Sequence, residues 1–282
     1  MALPLSPLDV DDFLRAALRE DAPLGDRTSE VLGLSGRARG SFVAREEGVL
    51  CGLFLARRTF ELLDPSAAFE APSKEGDLLP PGTVFARVEG SLPALLLGER
   101  LSLNLLQRLS GIATFTRACV REVAGTGARI LDTRKTTPGL RALEKYAVRT
   151  GGGQNHRLSL SDGILIKDNH LAGFASLGEA VRRARERAGH LLKVEVEVRS
   201  LDEFEEAVEA GADLVLLDNM SLKEMAEAVR RRPPGLLLEA SGGMRPGRLR
   251  AVAETGVDFI SVGALTHSAP ALDLALEIKP LP

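Results

Sequence analysis

Cysteine is scarce: the 282 residues hold two, Cys51 and Cys119. They lie far apart, without the Cys or His spacing of a zinc site. Neither a structural zinc nor a disulfide framework is therefore expected, and both read as reduced core thiols. Excess positive charge is absent too. Thirty-six Lys and Arg against 39 Asp and Glu leave a net charge of −3. That argues against general nucleic-acid binding, which favours a basic domain. No apolar run is long enough to span a bilayer. The start, MALPLSPLDVDDFLRAALRED, lacks the basic and long apolar regions of a signal peptide, so a cytoplasmic protein with no membrane partner is expected. Lysine is the remaining shortage, seven beside twenty-nine arginines. A lysine at a motif therefore draws attention, because its pKa can be tuned while arginine stays charged.

What is present is an ordinary globular composition, 44% apolar and 27% charged, long enough for two modest domains or a barrel with an appendage. Ser6-Pro7 with Asp9 opens a first helix whose apolar face is Val10, Phe13, Leu14, Ala17 and Leu18. A β-rich stretch follows. Gly40–Arg45 and Val49–Gly52 flank a turn, a helix covers Leu53–Leu63, and Thr83–Glu89 alternates after Pro80-Pro81-Gly82. Leu95–Val123 reads as helix, with a break expected at Ser110-Gly111. From there short apolar runs alternate with amphipathic helices. The runs are Arg129–Asp132, Ile164–Lys167, Leu192–Val198, Leu214–Asp218, Leu236–Ser241 and Phe259–Gly263. The intervening helices centre on Leu140–Thr150, Leu177–Ala188, Asp202–Ala210, Leu222–Arg231 and Arg248–Glu254.

Six β-then-α units in a row require parallel strands with helical crossovers. Nearly every run ends in, or carries, a polar or glycine signature. A doubly wound sheet gathers ligands at one switch point, whereas a barrel brings all its strand ends to one mouth. The residues point to a small α+β domain over roughly residues 1–110, to which the last leucines and Ile278-Lys279-Pro280 return, followed by an incomplete or open TIM-type barrel of six strands.

The charge distribution sharpens this. Between residues 134 and 167 stand Arg134, Lys135, Arg141, Lys145, Arg149, Arg157 and Lys167 against only Glu144 and Asp162, a local +5 in a chain of −3. Asp132-Thr133-Arg134-Lys135-Thr136-Thr137-Pro138-Gly139 runs from a strand to a helix start and combines cations with N–H dipoles. Gly151-Gly152-Gly153 implies mobility or close backbone approach, and His156-Arg157 adds donors. Lys167 closes the second strand as an anion clamp or, given an apolar setting, a Schiff-base nucleophile; the neighbouring His170 reads as structural. Glu195 and Glu197 alternate on VEVEV and share a face. With Asp218 they suit a Mg²⁺-bound phosphate ligand. Ser241-Gly242-Gly243 and Gly263-Ala264 sit where late barrel strands cradle phosphate. The set describes a pocket for a highly anionic, metal-carrying ligand and room for a second anion.

DTRKTTPGLRALEKYAVRTGGGQNHR, LIKDNH, VEVEV, LLDN, EASGG and ETGVDFISVGALTH, in this order, with GDRTS and ERLSLNLLQRLSGIAT upstream, closely resemble the quinolinate phosphoribosyltransferases. Only Ala240 in EASGG departs from the common pattern. The resemblance implies an α/β fold: an N-terminal α/β sandwich domain over residues 1–112, joined by the tail 268–282, and an open, incomplete six-stranded TIM-like α/β barrel over 113–267. It implies that quinolinate and phosphoribosyl pyrophosphate (PRPP) react with Mg²⁺ to give nicotinate mononucleotide, CO₂ and pyrophosphate, in de novo NAD biosynthesis. It implies that Arg134, His156, Arg157 and Lys167 hold the pyridine carboxylates and nearby phosphates, with Lys135 central. Glu197 and Asp218 would hold the ribose hydroxyls and the Mg²⁺–pyrophosphate, with Glu195 less clearly placed. Ser241, Gly242, Gly243, Gly263 and Ala264 would cradle the 5-phosphate. It also implies a homodimer or homohexamer in which Arg100 of one copy enters its neighbour's site. Three alternatives stay open on the residues alone: a relative acting on another anionic base (nicotinate-type or molybdenum-locus), a Lys167 aldolase, and a non-catalytic anion-binding protein.

Overall fold

A computed structural model describes residues 6–282; the first five residues, where the N-terminal reading and the expected first domain begin, lie outside the described residues. The described residues form two compact units, 6–117 with 142–152 and 269–282, and 118–141 with 153–268.

In the first unit α1 (Pro7–Asp21) starts as its sequence dictates. Ser6 Oγ accepts the Asp9 N–H at 3.2 Å, and Pro7 occupies the first turn, where it has no hydrogen bond to lose. After α2 (Arg27–Leu32) come β1 (Arg37–Ala44), β2 (Gly48–Val49), α3 (Leu53–Leu63), β3 (Ala68–Glu70), β4 (Leu78–Leu79), β5 (Val84–Ser91) and α4 (Leu92–Glu122). The C-terminal strand of the chain, Leu274–Pro280, pairs antiparallel with β1, Ala44 opposite Leu274 and Ala38 opposite Pro280. Strands β5 and then β3 extend the sheet on the other side of β1. Phe42 of β1 sits at its centre, ring to ring with Phe60 of α3 at 6.1 Å and Phe85 of β5 at 5.8 Å. All three rings are buried, each contributing on the order of 2 kcal/mol through removal from water.

Helix α4 is continuous through Ser110 and Gly111, which corrects the expected break. Gly111 is there for room: a Cβ on it would lie 1.9 Å from the Pro270 carbonyl oxygen. Ser110 turns its hydroxyl to the backbone N–H of Cys51 at 2.9 Å. Gly151, the first of the triple glycine, has a similar cause, since a Cβ on it would meet the Ala113 carbonyl at 2.4 Å. The helix before it, α5 (Arg141–Thr150), has residues 142–150 in the first unit, where Tyr146 packs edge-on against Phe54 at 5.5 Å.

The second unit contains β6 (Arg129–Leu131), β7 (Ile164–Ile166), α6 (Asp168–Leu171), α7 (Leu177–Arg187), β8 (Val194–Val198), α8 (Leu201–Glu209), β9 (Leu214–Asp218), α9 (Leu222–Arg231), β10 (Leu237–Ser241), α10 (Leu249–Ala253), β11 (Phe259–Ser261) and α11 (Ala264–His267). The strand Leu274–Pro280 of the first unit is thus β12. The six strands β6 to β11 form one parallel sheet in the order β6-β11-β10-β9-β8-β7. The first two strands of this unit are the two edges of its sheet, unpaired with each other, so the barrel is open between β6 and β7. Ser and Glu at the starts of α7, α8 and α9 cap the orphan N–H groups, with Ser176, Ser200 and Ser221 each accepting from a residue three further on. These caps end the connecting loops cleanly and leave the carboxyl ends of the strands for chemistry. Among the described residues no helix is long and apolar enough to cross a membrane.

Candidate active site

The C-terminal strand ends of the second unit surround a cavity of about 750 Å³. Its first wall is built from the buried carboxylate of Asp132, just past β6. Asp132 accepts hydrogen bonds from Asn155 Nδ2 at 2.6 Å and the His156 backbone N–H at 2.9 Å. Gln154 donates its N–H to Ile130 and accepts from Asp132, so residues 154–156 are stitched along the edge strand. This stitching delivers His156 and Arg157 to the mouth. Arg157 is fixed by donating to the Gly163 carbonyl at 2.9 Å; burial and then the nearby Arg134 lower its pKa. Arg134 Nε is buried with no hydrogen-bond partner among the described residues. The turn carrying Lys135 is held by Thr133 Oγ1, which accepts the Lys135 N–H, and by Thr266, whose hydroxyl donates to the Lys135 carbonyl.

Opposite the cations stand carboxylates. Lys167, one residue beyond β7, is in direct contact with Glu197 of the neighbouring strand β8. Arg199, just past β8, donates to Asp168 at 2.7 Å and lies 3.9 Å from Glu197 and 3.8 Å from Asp218. His170 is structural: its Nδ1 accepts the Lys167 N–H at 2.9 Å and caps the short α6. Deeper in, His156 Nε2 meets Glu195 at 2.9 Å and Glu239 at 3.5 Å. Burial first, and then the Glu195 charge, pushes the Glu239 carboxyl up to about 8.

The third wall is backbone. Gly242 and Gly243 have φ of +90° and +60°, conformations that glycine adopts freely, and Asn219 at +56° lies beside them. A Cβ on Gly242 would stand 2.2 Å from Asn219 Oδ1 and 2.8 Å from its backbone N, so the two loops are in close contact. Gly263, at the start of α11, faces Lys135 and His267. Such an array offers fixed cations, N–H groups and oxygen donors in one cavity, which suits a ligand bearing several anionic groups and a hard metal ion.

Residues 26–110 match the family model described as "Quinolinate phosphoribosyl transferase, N-terminal domain", and residues 112–277 match its C-terminal domain. The chain belongs to the quinolinate phosphoribosyltransferase family. It is 43% identical over 274 residues to the nicotinate-nucleotide pyrophosphorylase (carboxylating) of Mycobacterium leprae, covering 95% of this chain and 96% of that one. With the protein of the same name from Homo sapiens it shares 39% identity over 292 residues, covering 100% and 97%. The solved nicotinate-nucleotide pyrophosphorylase of Francisella tularensis superposes with a TM-score of 0.94 at 37% identity, over 99% of both chains.

Of the residues expected from the resemblance to this family, the structure brings Arg134, Lys135, His156, Arg157, Lys167, Glu197, Asp218, Ser241, Gly242, Gly243, Gly263 and Ala264 to the cavity wall. Arg100 is not among them; it is exposed on α4, in the first unit. Among the polar cavity residues, Glu239, Arg245, Ser261 and His267 escaped the sequence reading, and Asn219 was read only as part of the polar end of its strand. Arg199, bridging the acidic side from just outside the lining, escaped it as well. For Glu239 a signal existed. Counting back two from Ser241 along β10 puts Glu239 on the same face.

Proposed function

We propose that this chain transfers the phosphoribosyl group of PRPP to quinolinate, releasing pyrophosphate and the pyridine 2-carboxylate as CO₂ and forming nicotinate mononucleotide. One observation carries the reading: the four cations Arg134, Lys135, Arg157 and Lys167, the carboxylates Glu197 and Asp218, and the Gly242-Gly243 turn all line a single cavity in a chain of this family. Quinolinate is a dicarboxylate, and PRPP brings a 5-phosphate and a pyrophosphate. Arg134, His156, Arg157 and Lys167 are assigned to the ring carboxylates and adjacent phosphate oxygens. Lys135 stands between the two substrates. Ser241, Gly242, Gly243, Gly263 and Ala264 take the 5-phosphate through backbone N–H groups. Glu197 and Asp218 receive the ribose hydroxyls.

These two carboxylates are also oxygen donors of the kind Mg²⁺ prefers alongside phosphate oxygens. The cavity therefore fits a Mg²⁺ carried in with the pyrophosphate, where it would neutralise the leaving group. The protein's own part is electrostatic and geometric. Departure of pyrophosphate leaves positive charge on the ribose C1, which the Glu197 and Asp218 carboxylates stabilise. The pyridine nitrogen, held in line by its two carboxylates, attacks C1 and becomes a pyridinium. The adjacent pyridinium charge then stabilises the electron pair left on C2 as CO₂ departs, and that pair takes up a proton. No covalent enzyme intermediate is needed. Lys167 is ion-paired with Glu197 rather than set in the apolar surroundings an amine nucleophile requires, so the aldolase reading has no support. A homo-oligomer in which Arg100 of a second copy completes the quinolinate site is part of the proposal; the exposure of Arg100 on α4 is compatible with it.

The test is purified protein with quinolinate, PRPP and Mg²⁺, following nicotinate mononucleotide and CO₂, with nicotinate as the parallel substrate. Product from quinolinate alone is expected. Product from nicotinate alone would discard the substrate assignment, and no product from either would discard the enzyme reading.

A further inference from the structure

Arg245 lines the cavity and has no role in the chemistry above. It stands two residues past Gly243, on the loop that leaves β10. By its residues Arg245-Pro246-Gly247-Arg248 is a type II turn, since proline suits the second position and glycine the third, where φ is positive. The structure closes that turn, with Gly247 at φ +87° and the Arg248 N–H donating to the Arg245 carbonyl at 3.2 Å. The turn is also anchored from outside. Glu122, part of the same unit, accepts the Gly247 N–H at 3.0 Å and the Arg250 N–H at 3.2 Å. Between the turn and the glycines the chain is pinned by the buried Met244. A fixed backbone therefore holds Arg245 beside the Ser241–Gly243 loop.

The charge of Arg245 is unanswered. Among the described residues its side chain makes neither a hydrogen bond nor an ion pair. Other exposed arginines of this unit have carboxylate partners: Arg230 and Arg231 share Glu227, and Arg250 has Glu254. In the cavity itself Lys167 is taken up by Glu197. Arg134, Lys135 and Arg157 come from segments next to the edge strands β6 and β7, whereas Arg245 follows β10, inside the sheet. The backbone N–H groups of the glycine loop carry only partial positive charge, which leaves a phosphate dianion there incompletely neutralised. A guanidinium is planar, always charged and able to give a phosphate two parallel hydrogen bonds.

We propose that Arg245 is a substrate-binding residue that donates to the 5-phosphate of PRPP, adding a side-chain cation to the cradle that Gly242 and Gly243 form with backbone. This rests on the reading of the cavity as a PRPP site. The 5-phosphate stays on the ribose throughout the reaction. The contact therefore persists in nicotinate mononucleotide and does not include pyrophosphate. Arg248, at the other end of the turn, lies outside the cavity lining, with Nη1 3.7 Å from where a Cβ on Gly243 would stand. It carries the same charge close by and so reports what the general field of the loop contributes.

Steady-state kinetics and product inhibition in the full-length, Mg²⁺-replete enzyme test this, with Arg245→Ala, Arg245→Lys and Arg248→Ala. Arg245→Ala is expected to raise KM for PRPP and the inhibition constant of nicotinate mononucleotide together, each by roughly tenfold, the worth of one charge-assisted hydrogen bond at a partly open position. The inhibition constant of pyrophosphate and KM for quinolinate should stay within about twofold. Arg245→Lys should recover part of the loss, as a point charge without the fork, and Arg248→Ala should change KM for PRPP by less than about threefold. Pyrophosphate inhibition weakening as much as that of the nucleotide would place Arg245 on the leaving group and overturn the proposal. An equal defect in Arg248→Ala would reduce the effect to the general field of the loop and overturn it as well. So would unchanged constants in Arg245→Ala, and each of these three results leaves the PRPP reading of the cavity in place. No turnover of quinolinate and PRPP by the unsubstituted protein would overturn that reading and this proposal with it.

Discussion

Gly242 and Gly243 are neighbours in one turn, yet the structure predicts different fates for them on substitution. At Gly242 a Cβ would stand 2.2 Å from Asn219 Oδ1 and 2.8 Å from the Asn219 backbone N, at φ +90°. The side-chain amide can rotate away, but the backbone nitrogen cannot. Gly242→Ala must therefore move the Ser241–Gly243 turn, at about 1–3 kcal/mol for the backbone conformation. If that movement forfeits one charge-assisted hydrogen bond to the 5-phosphate, about 1.5–3 kcal/mol of binding is lost. That corresponds to roughly a 10- to 100-fold rise in KM for PRPP, at about 1.4 kcal/mol per tenfold. At Gly243 φ is +60° and the nearest atom to a Cβ is Arg248 Nη1 at 3.7 Å, an ordinary contact. Gly243→Ala should cost about 1–2 kcal/mol of stability for the left-handed backbone and change KM for PRPP only a few-fold. Steady-state kinetics with varied PRPP at saturating quinolinate, together with melting temperatures, separate the two. A PRPP defect in Gly243→Ala as large as in Gly242→Ala, or a defect confined to quinolinate, would refute the phosphate-cradle assignment.

Lys135→Ala should abolish turnover and leave the melting temperature within a degree or two, since the side chain is exposed and the hydrogen bonds of its turn use its backbone; near-normal kcat would remove its role. Gly111→Ala, which in an ordinary helix interior gains up to about 1 kcal/mol, should instead destabilise by about 1–3 kcal/mol through overpacking on Pro270. Gly127→Ala, with nothing within 4 Å, is the control in the same denaturation experiment. Glu239 ties stability to pH. Its carboxyl ionises near 4.5 when exposed, but resists to about 8 in the fold. The native state therefore holds more protons in that window, and stability should fall as pH rises from 4.5 through 8, by up to about 1.4 kcal/mol per unit. Glu239→Gln should flatten that fall in melting temperature between pH 5 and 9; parallel curves for the two proteins would contradict it.

How far the sequence could be read depended on whether local pattern or tertiary approach controlled each feature. Leu53–Leu63, Leu214–Asp218 and Leu222–Arg231 came out with the bounds read from the sequence, because there apolar spacing is regular and, for Leu222–Arg231, the Ser221 cap agrees with it. The barrel strands were legible from their polar ends, and the open edge between β6 and β7 agrees with six strands being too few to close. Ser110-Gly111 was misread because a glycine in a helix looks the same whether it breaks the helix or admits another backbone. Only the carbonyl of Pro270, some 160 residues away, distinguishes the two. Glu239 was passed over because the eye stops at the serine and glycines that end LLLEASGG. Arg245 lies in the loop after β10 and His267 at the end of the short α11, both beyond strand ends in stretches too short for periodicity to encode. The assignment of Arg100 to a site depends on a second copy of the chain, which one chain does not contain.

The distribution of charge in the cavity bears on how its ligands enter. Of the seven cations between residues 134 and 167, only Arg134, Lys135, Arg157 and Lys167 line it. Lys167 is occupied by Glu197, and Arg199 spans Asp168, Glu197 and Asp218. On the Lys167 side of the mouth, cations and carboxylates therefore already answer each other. A purely anionic ligand gains Lys167 only by drawing it from Glu197, which leaves that carboxylate uncompensated at a partly buried position. A ligand carrying both phosphates and a divalent cation would answer both at once: Glu197 would hold the cation, and Lys167 would be left to a phosphate or carboxylate. On this argument Mg²⁺-bound PRPP should tighten quinolinate binding by freeing Lys167, and the coupling is reciprocal. Calorimetric titration of quinolinate with and without Mg²⁺ and a non-reactive PRPP analogue measures it. Lys167→Met should reduce the coupling to near unity, and a variant that keeps the full coupling would show that the exchange of partners at Glu197 is not its source.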